Sequence, residues 1–503
     1  MQRARVLLRS LQHVRPGPRV WRGALLLAVA MSLMGPARAQ TLPDDIDIST
    51  SPIGVVLLPP TVDPVFTNVF DRYTKILAPN GQAIHFLIQD QVTDRMAVRA
   101  REVLRFYIED TLGSQYGADK TAVTNSMGDL EAALVYFNTE QDAENALDGP
   151  LGDANIFAQD LYATESVIEG TSAYINNTNR DATLEEVFHL VHGAGIEPAL
   201  PTYHAEITAA TNAALDAGIY IPPGDLPRAD YPFEYIISVI DVYYGYWAHD
   251  PDGDGTSFGG EYAFNTRAAV EAGDPLGVTT MRKFLPEFFT AQLTCASSFG
   301  GTFRLAFDQA TEYTHKSQYL TRVNLLGSKP SGLEGNEQDN QLRGNRGDNV
   351  IQGGVGIDTV SFRGLRAEYL IECGPSGYAV EDTVPGRDGR DSISTVEFLG
   401  FSDLTVPAVT LYADPTDPST GDTLTLGICN GVAQRPVAYA AVEVGGTPVL
   451  FWLLFSALDA QGEHSFSGTV VPGLSGLTLR FRAFTFDGHG AVVPTNDATT
   501  TVQ

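Results

Sequence analysis

The sequence predicts a multidomain chain with an α/β (or α+β) N-terminal domain, a short parallel β-roll and a C-terminal all-β sandwich. Three observations carry that reading. Helical and strand periodicities are mixed over residues 51–327. Residues Gly335 to Ser361 then fall into three tandem nine-residue units, GNEQDNQLR, GNRGDNVIQ and GGVGIDTVS. The remainder, 405–503, is rich in Thr, Val, Gly and Pro, with short strand signals at regular intervals.

Residues 1–39 contain seven Arg and no acid, then an apolar run from Ala24 to Met34 and the small-residue site Ala37-Arg38-Ala39. This is the pattern of a secretory signal peptide. The run is too short to span a bilayer, as is the later stretch Val449 to Leu458. The expectation is a soluble chain, secreted or periplasmic/extracellular after cleavage, with no stable membrane insertion. Removing the seven positive charges takes the formal net charge from −29 to −36. That charge disfavours nucleic acid and anionic membrane as partners and suits cations. It is equally what solubility in a salty or calcium-rich medium requires. An extracellular protein or surface ligand remains a partner the sequence does not name. Of the cysteines Cys295, Cys373 and Cys429, Cys373 with Cys429 is a conceivable pair that one sequence does not establish.

In the first domain, Ile84 to Ile88 reads as a strand and Thr93 to Asp110 as a helix, with Met96, Val103, Leu104, Tyr107 and Ile108 at helical spacing. A second helix is predicted for Met127 to Phe137. A third runs from Asp181 to Gly193, with Asp181 or Thr183 to cap it and Gly193 to end it. Its polar residues stand four apart, so Glu185 and His189 project from one face, with Glu186 and His192 nearby. The bland reading is a partly exposed helix whose acids pair with neighbouring bases.

The segment E-E-V-F-H resembles the zincin motif H-E-x-x-H, with Glu185 where the first histidine ligand stands. The resemblance implies zinc on His189 and Glu185, and Glu186 as the catalytic general base that activates a metal-bound water. The surrounding DATLEEVFHLVHGAGI is similar to an uncharacterised group of exported microbial proteins carrying D-A-T-L-E-E-x-x-H-L-I, in which the Glu-Glu pair is the usual form. His204 is a further candidate ligand.

Asp250, Asp252, Asp254 and Glu261 fit the EF-hand-like loop pattern D-x-D-x-D-G-x5-E, with Gly255 at the turn position. Calcium is the expected ion, between an apolar segment Tyr235 to Trp247 and a helix from Glu261 to Ala272. An acidic surface turn is the alternative. Glu261 is also where a gluzincin-type third zinc ligand could fall, and calcium has the better local support.

The three nonapeptides resemble the RTX (hemolysin-type) repeat G-G-x-G-x-D-x-U-x. Leu342, Ile351 and Val360 occupy the apolar position at a spacing of nine, which implies one thin core in the roll over 329–363. The sixth position holds Asn340, Asn349 and Asp358, and the resemblance implies calcium there. The stretch ending GRDGRDSISTVEFLGFSD is similar to the segment that often follows RTX repeats and is expected to complete the roll over 364–404. Strand signals at Thr423 to Gly427, Ala438 to Val444, Glu463 to Val471 and Leu477 to Thr485 indicate an immunoglobulin-like sandwich over 405–503.

Two functional readings follow, with a third behind them. The first is an exported calcium-binding protein of RTX type with an N-terminal domain of unknown activity. The second is a secreted metal-dependent hydrolase or peptidase, and the third a surface adhesion protein.

Overall fold

The computed structural model describes residues 42–503 apart from 170–173, 175–180, 225, 251, 252, 307–317, 375, 376, 433, 461 and 487–489. The expected signal peptide and Asp252 therefore lie outside the described residues. Among the described residues two compact units are present, one built from 42–168 and 181–287, the other essentially from 288–503. The division falls at Glu287 and Phe288, well before the expected boundary near Gly327.

The first unit is α/β. Its sheet runs in the order Val56–Leu57, Arg72–Leu77, Ala83–Ile88, Ala132–Phe137, Phe157–Tyr162. The first three strands pair antiparallel and the last three parallel. Every residue of Ala83–Ile88 and Ala132–Phe137 is buried, as a strand covered on both faces requires. The helix Asp94–Ile108 begins where the sequence places it, capped by Thr93, whose hydroxyl accepts from the Met96 amide at 3.3 Å. The helix predicted over Met127 to Phe137 is corrected: it spans Thr121–Asp129, and the residues from Ala132 form a central strand. An apolar run buried on both sides carries no period of two to reveal it.

Among its described residues the second unit is rich in β-strands, which form four sheets. In its first part the chain alternates between two sheets, with Phe289–Thr294, Leu320–Asn324, Gln341–Arg343, Thr359–Ser361 and Phe398–Gly400 in one. Thr302–Arg304, Ser331–Glu334, Asn349–Gln352 and Arg390–Ser394 lie in the other. Successive strands in each sheet are parallel. Leu342 stands beside Val323 and Val360, and Ile351 beside Leu333 and Ile393. The three expected core residues therefore divide between two sheets, and all three are fully buried. The parallel strands also begin at Phe289, earlier than the repeats, because Leu293, Phe303, Val323 and Leu333 supply the same inward rows without a glycine signature. An antiparallel hairpin, Tyr369–Gly374 and Gly377–Asp382, is inserted before Arg390.

From Thr410 onward the strands are antiparallel in two sheets, one of Thr410–Asp414, Thr423–Cys429 and His464–Thr469, the other around Pro436–Val444 and Thr478–Phe486. Leu411, Leu426, Ile428, Tyr439, Phe481 and Ala483 pack between them. Val449 to Leu458, too short to span a membrane, belongs largely to the strand Thr447–Ala457, paired to Pro436–Val444. Cys373 and Cys429 form a disulfide that ties the inserted hairpin to this part, and Cys295 is buried. Among the described residues no helix is long and apolar enough to cross a membrane.

Candidate metal centre

The helix carrying the E-E-x-x-H segment spans Thr183–Val191, and all nine of its residues are buried. It is not the partly exposed helix of the bland reading. Asp181 anchors its start: the carboxylate takes both guanidinium amino groups of Arg99, one at 3.0 Å, and accepts from the Thr183 amide at 3.3 Å. Tyr107, from the helix Asp94–Ile108, donates its hydroxyl to the Leu184 carbonyl at 3.0 Å.

Gly193 does not end the helix. The chain continues through a π-helical turn, His192–Ile196, and on to Ala199. Glycine is required there by packing: a Cβ on Gly193 would lie 2.6 Å from the Phe157 ring, and one on Gly195 2.6 Å from Val123. The wide turn and the two bare backbones let the helix press against the sheet.

Glu185 and His189 are brought together as their spacing predicts, and a third residue joins them. Ligating atoms of Glu185, His189 and Glu234 lie within 4.8 Å of one another, and among the described residues this is the group able to hold a metal ion. All three are buried, at 2, 3 and 3 % exposure. Glu234 sits on the helix Tyr231–Tyr243, of which every residue but the first is buried. Its signal in the sequence is an acid inside the apolar run YPFEYIISVIDVYY, where a buried carboxylate demands a partner.

The imidazole is held between two carboxylates. Nδ1 of His189 lies 3.4 Å from Oε2 of Glu186, and Nε2 lies 3.6 Å from Oε2 of Glu234 with no hydrogen bond of its own. A tetrahedral site with bonds of about 2.1 Å has ligand–ligand edges of about 3.4 Å. The spacing of Nε2 and the Glu234 oxygen is close to such an edge, and the three residues together could hold an ion.

Glu186, expected as general base, stands on the far side of the ring from Glu234. It accepts from Nε2 of Gln159 at 2.7 Å. That is the place of a carboxylate that fixes tautomer and orientation of a ligating histidine. Asp160 lies beside it, accepting from Tyr162 and, at 3.4 Å, from Gln159.

The charges explain the titration behaviour. Burial raises the Glu186 carboxyl, with Glu185 and Asp160 adding to the rise and His189 opposing it. For His189, burial favours the neutral ring, but Glu234, Glu186 and Glu185 outweigh it and hold the imidazole up at about 9. Burial also lifts Asp160 to about 6 against the pull of Tyr162. Too many carboxylates share one dry space, and without a cation they keep protons there.

His192 and His204 lie outside this group. Nε2 of His192 meets Nδ1 of His204 at 3.0 Å, and the His192 ring stacks on Phe233 at 4.1 Å. Burial holds both rings below the usual histidine range. They form a neutral hydrogen-bonded pair.

Glu261 does not join Glu185 and His189. It lies past a short 3-10 turn, Phe258–Gly260, and the helix predicted from Glu261 begins instead at Arg267, capped by Thr266. Asp250 accepts from the Gly255 amide at 3.2 Å, and Asp254 from the amide and hydroxyl of Thr256 at 2.9 and 2.7 Å. Among the described residues Asp250, Asp254 and Glu261 are not gathered into a metal-ligating group.

Asn340, Asn349 and Asp358 are buried, Asn340 and Asp358 just before their strands and Asn349 at the first position of its own. Oδ1 of Asn340 accepts from the Asn336 amide at 2.8 Å, and Oδ1 of Asn349 from the Asn345 amide at 2.9 Å. Asp358 accepts from the Asn340 amide at 2.8 Å. Burial, with Glu397 and Asp339 close by, lifts its carboxyl to about 8.

No protein-family model and no curated protein matches this chain. Among solved structures, one described as "Crystal structure of tetra-tandem repeat in extending region of large adhesion protein" aligns at 16% identity and a TM-score of 0.15. The alignment covers 25% of this chain and 30% of that one, and so low a score carries no argument about fold or function.

Proposed function

We propose that this is an exported metal-binding protein whose N-terminal unit holds one divalent cation of the zinc class on Glu185, His189 and Glu234. The observation that supports the reading is the convergence of these buried side chains within 4.8 Å, with Nε2 of His189 left without a hydrogen bond. Calcium takes oxygen ligands, so an imidazole nitrogen in the set favours zinc or a neighbouring first-row ion. Glu186 and Gln159 orient the ring through Nδ1.

A second reading, a secreted metal-dependent hydrolase, is favoured by the ligand pattern itself. Glu185 and His189 on one helix and an acid on a later one follow the gluzincin arrangement. With three protein ligands such an ion supplies a Lewis acid and an open position for water. Against it stand the burial of all three ligands and the engagement of Glu186 with His189. We therefore rank metal binding first.

Metal analysis of chelator-stripped and refilled protein tests the proposal. One equivalent of zinc, lost on Glu234→Ala and on His189→Ala, supports it; retention of calcium alone overturns it. Hydrolysis of an unstructured protein substrate by the zinc-loaded chain, absent from both variants, would move the second reading ahead.

A further inference from the structure

The RTX resemblance implies calcium in the loops at Asn340 and Asn349, and the residues present do not fit it. In the first loop, Nδ2 of Asn336 donates to the carbonyls of Leu320 at 2.8 Å and Gln318 at 3.1 Å, both on the preceding turn. Oδ1 of Asn336 accepts from the Gln338 amide at 2.9 Å and from Nδ2 of Asn340 at 2.9 Å. Oδ1 of Asn340 accepts from the Asn336 amide, and the Asn340 amide donates to Asp358 on the following turn.

The second loop repeats this pattern, with one further bond from Nδ2 of Asn349 to the Ser331 carbonyl at 3.1 Å. Nδ2 of Asn345 donates to the Lys329 carbonyl at 2.7 Å, and Oδ1 of Asn345 accepts from the Gly347 amide at 2.8 Å and from Nδ2 of Asn349 at 3.2 Å. Oδ1 of Asn349 accepts from the Asn345 amide at 2.9 Å, and the Asn349 amide donates to Asp391 at 2.9 Å. The surrounding backbone fixes which end of each amide is oxygen: main-chain N–H groups face every Oδ1, and main-chain carbonyls face Nδ2 of Asn336 and Asn345.

A calcium site needs six to eight oxygens turned inward with their lone pairs free. Here the Gln318, Leu320 and Lys329 carbonyls of the preceding turn already accept from asparagine amides, and every Asn Oδ1 in the two loops already accepts from a main-chain N–H. The unit at Gly353 lacks the pair: Gly354 stands at its second position and Asp358 at its sixth. There the network stops, with Oδ2 of Asp358 buried and without a hydrogen bond.

We infer that Asn336–Asn340 and Asn345–Asn349 are a built-in replacement for calcium, so that these two turns close and stay closed without the ion. Acidic rolls wait for calcium because their carboxylates repel one another; each Asn pair supplies a donor and an acceptor and no charge.

Hydrogen-exchange mass spectrometry of the full chain, with excess chelator and with millimolar calcium, tests this on peptides spanning 335–352. The expected result is equal protection in both conditions. In Asn340→Asp the donor to Asn336 is gone and a carboxylate oxygen is set against Oδ1 of Asn336; protection there falls by roughly tenfold or more in chelator and returns with calcium. Wild-type protection that collapses in chelator overturns the inference, as does an Asn340→Asp chain as protected in chelator as the wild type. The readout is confined to the roll, so it is independent of whether the N-terminal unit binds zinc.

Discussion

Replacing Glu186 by Gln tests whether its carboxylate holds the His189 ring. Oε2 of Glu186 lies 2.7 Å from Nε2 of Gln159 and 3.4 Å from Nδ1 of His189. Both contacts fall on this one oxygen, so a glutamine either puts a neutral carbonyl oxygen there, keeping both acceptor contacts without the charge, or an amino group that sets N–H against N–H. Losing such an orienting partner costs about 10–100-fold in metal affinity. Zinc at a hundred times the wild-type Kd stabilises by about 2.7 kcal/mol, and after a roughly thirtyfold loss the same concentration gives about 0.9 kcal/mol. The missing ~1.8 kcal/mol corresponds to roughly 4–7 °C of zinc-induced melting shift in a unit of this size. Isothermal titration of chelator-stripped protein gives the affinity, and calorimetric melting with and without zinc gives the shift. Glu234→Gln, which removes a charged ligand, serves as comparison. If Glu186→Gln binds within about twofold of wild type while Glu234→Gln fails to bind, the orienting role is refuted.

Asp391 is fully buried, and burial lifts its carboxyl to about 8 from an ordinary 3.8. Between those values the folded chain holds a proton that the unfolded chain releases, so stability falls as pH rises through that window. Asp391→Asn keeps an acceptor for the Asn349 amide and removes the charge; its melting temperature should exceed the wild type at pH 8 by more than at pH 5, and parallel curves would disprove the assignment. The Cys373–Cys429 bridge closes a sequence separation of 56 residues. On the chain-entropy estimate, Cys373→Ser with Cys429→Ser should cost about 4 kcal/mol in denaturant unfolding of the second unit, and a loss under about 1 kcal/mol would show that the unfolded chain is already constrained.

Local patterns were legible where a single element decides them. Thr93 and the helical spacing behind it announced the helix Asp94–Ile108, and the nine-residue spacing of Leu342, Ile351 and Val360 announced buried positions. The spacing of Glu185 and His189 put both on one helical face, and the structure keeps them together. What failed was a pattern with two solutions. The run up to Phe137 is apolar at helical and strand spacing alike, and only the parallel neighbours on either side make Ala132–Phe137 a strand. Gly193 reads as a helix stop, yet the nearby Phe157 ring gives it a packing role.

By itself the sequence determined the class of each part, the pair of residues at the heart of the candidate centre and the repeat that builds the parallel sheets, because periodicity and i, i+4 spacing are properties of the chain alone. Only the tertiary structure brought Glu234 to His189 from another helix, turned Glu186 to the opposite nitrogen and matched each Asn pair with the carbonyls of the turn before it. Those are contacts between segments distant in sequence, where direction and distance rather than residue type settle what a side chain can do.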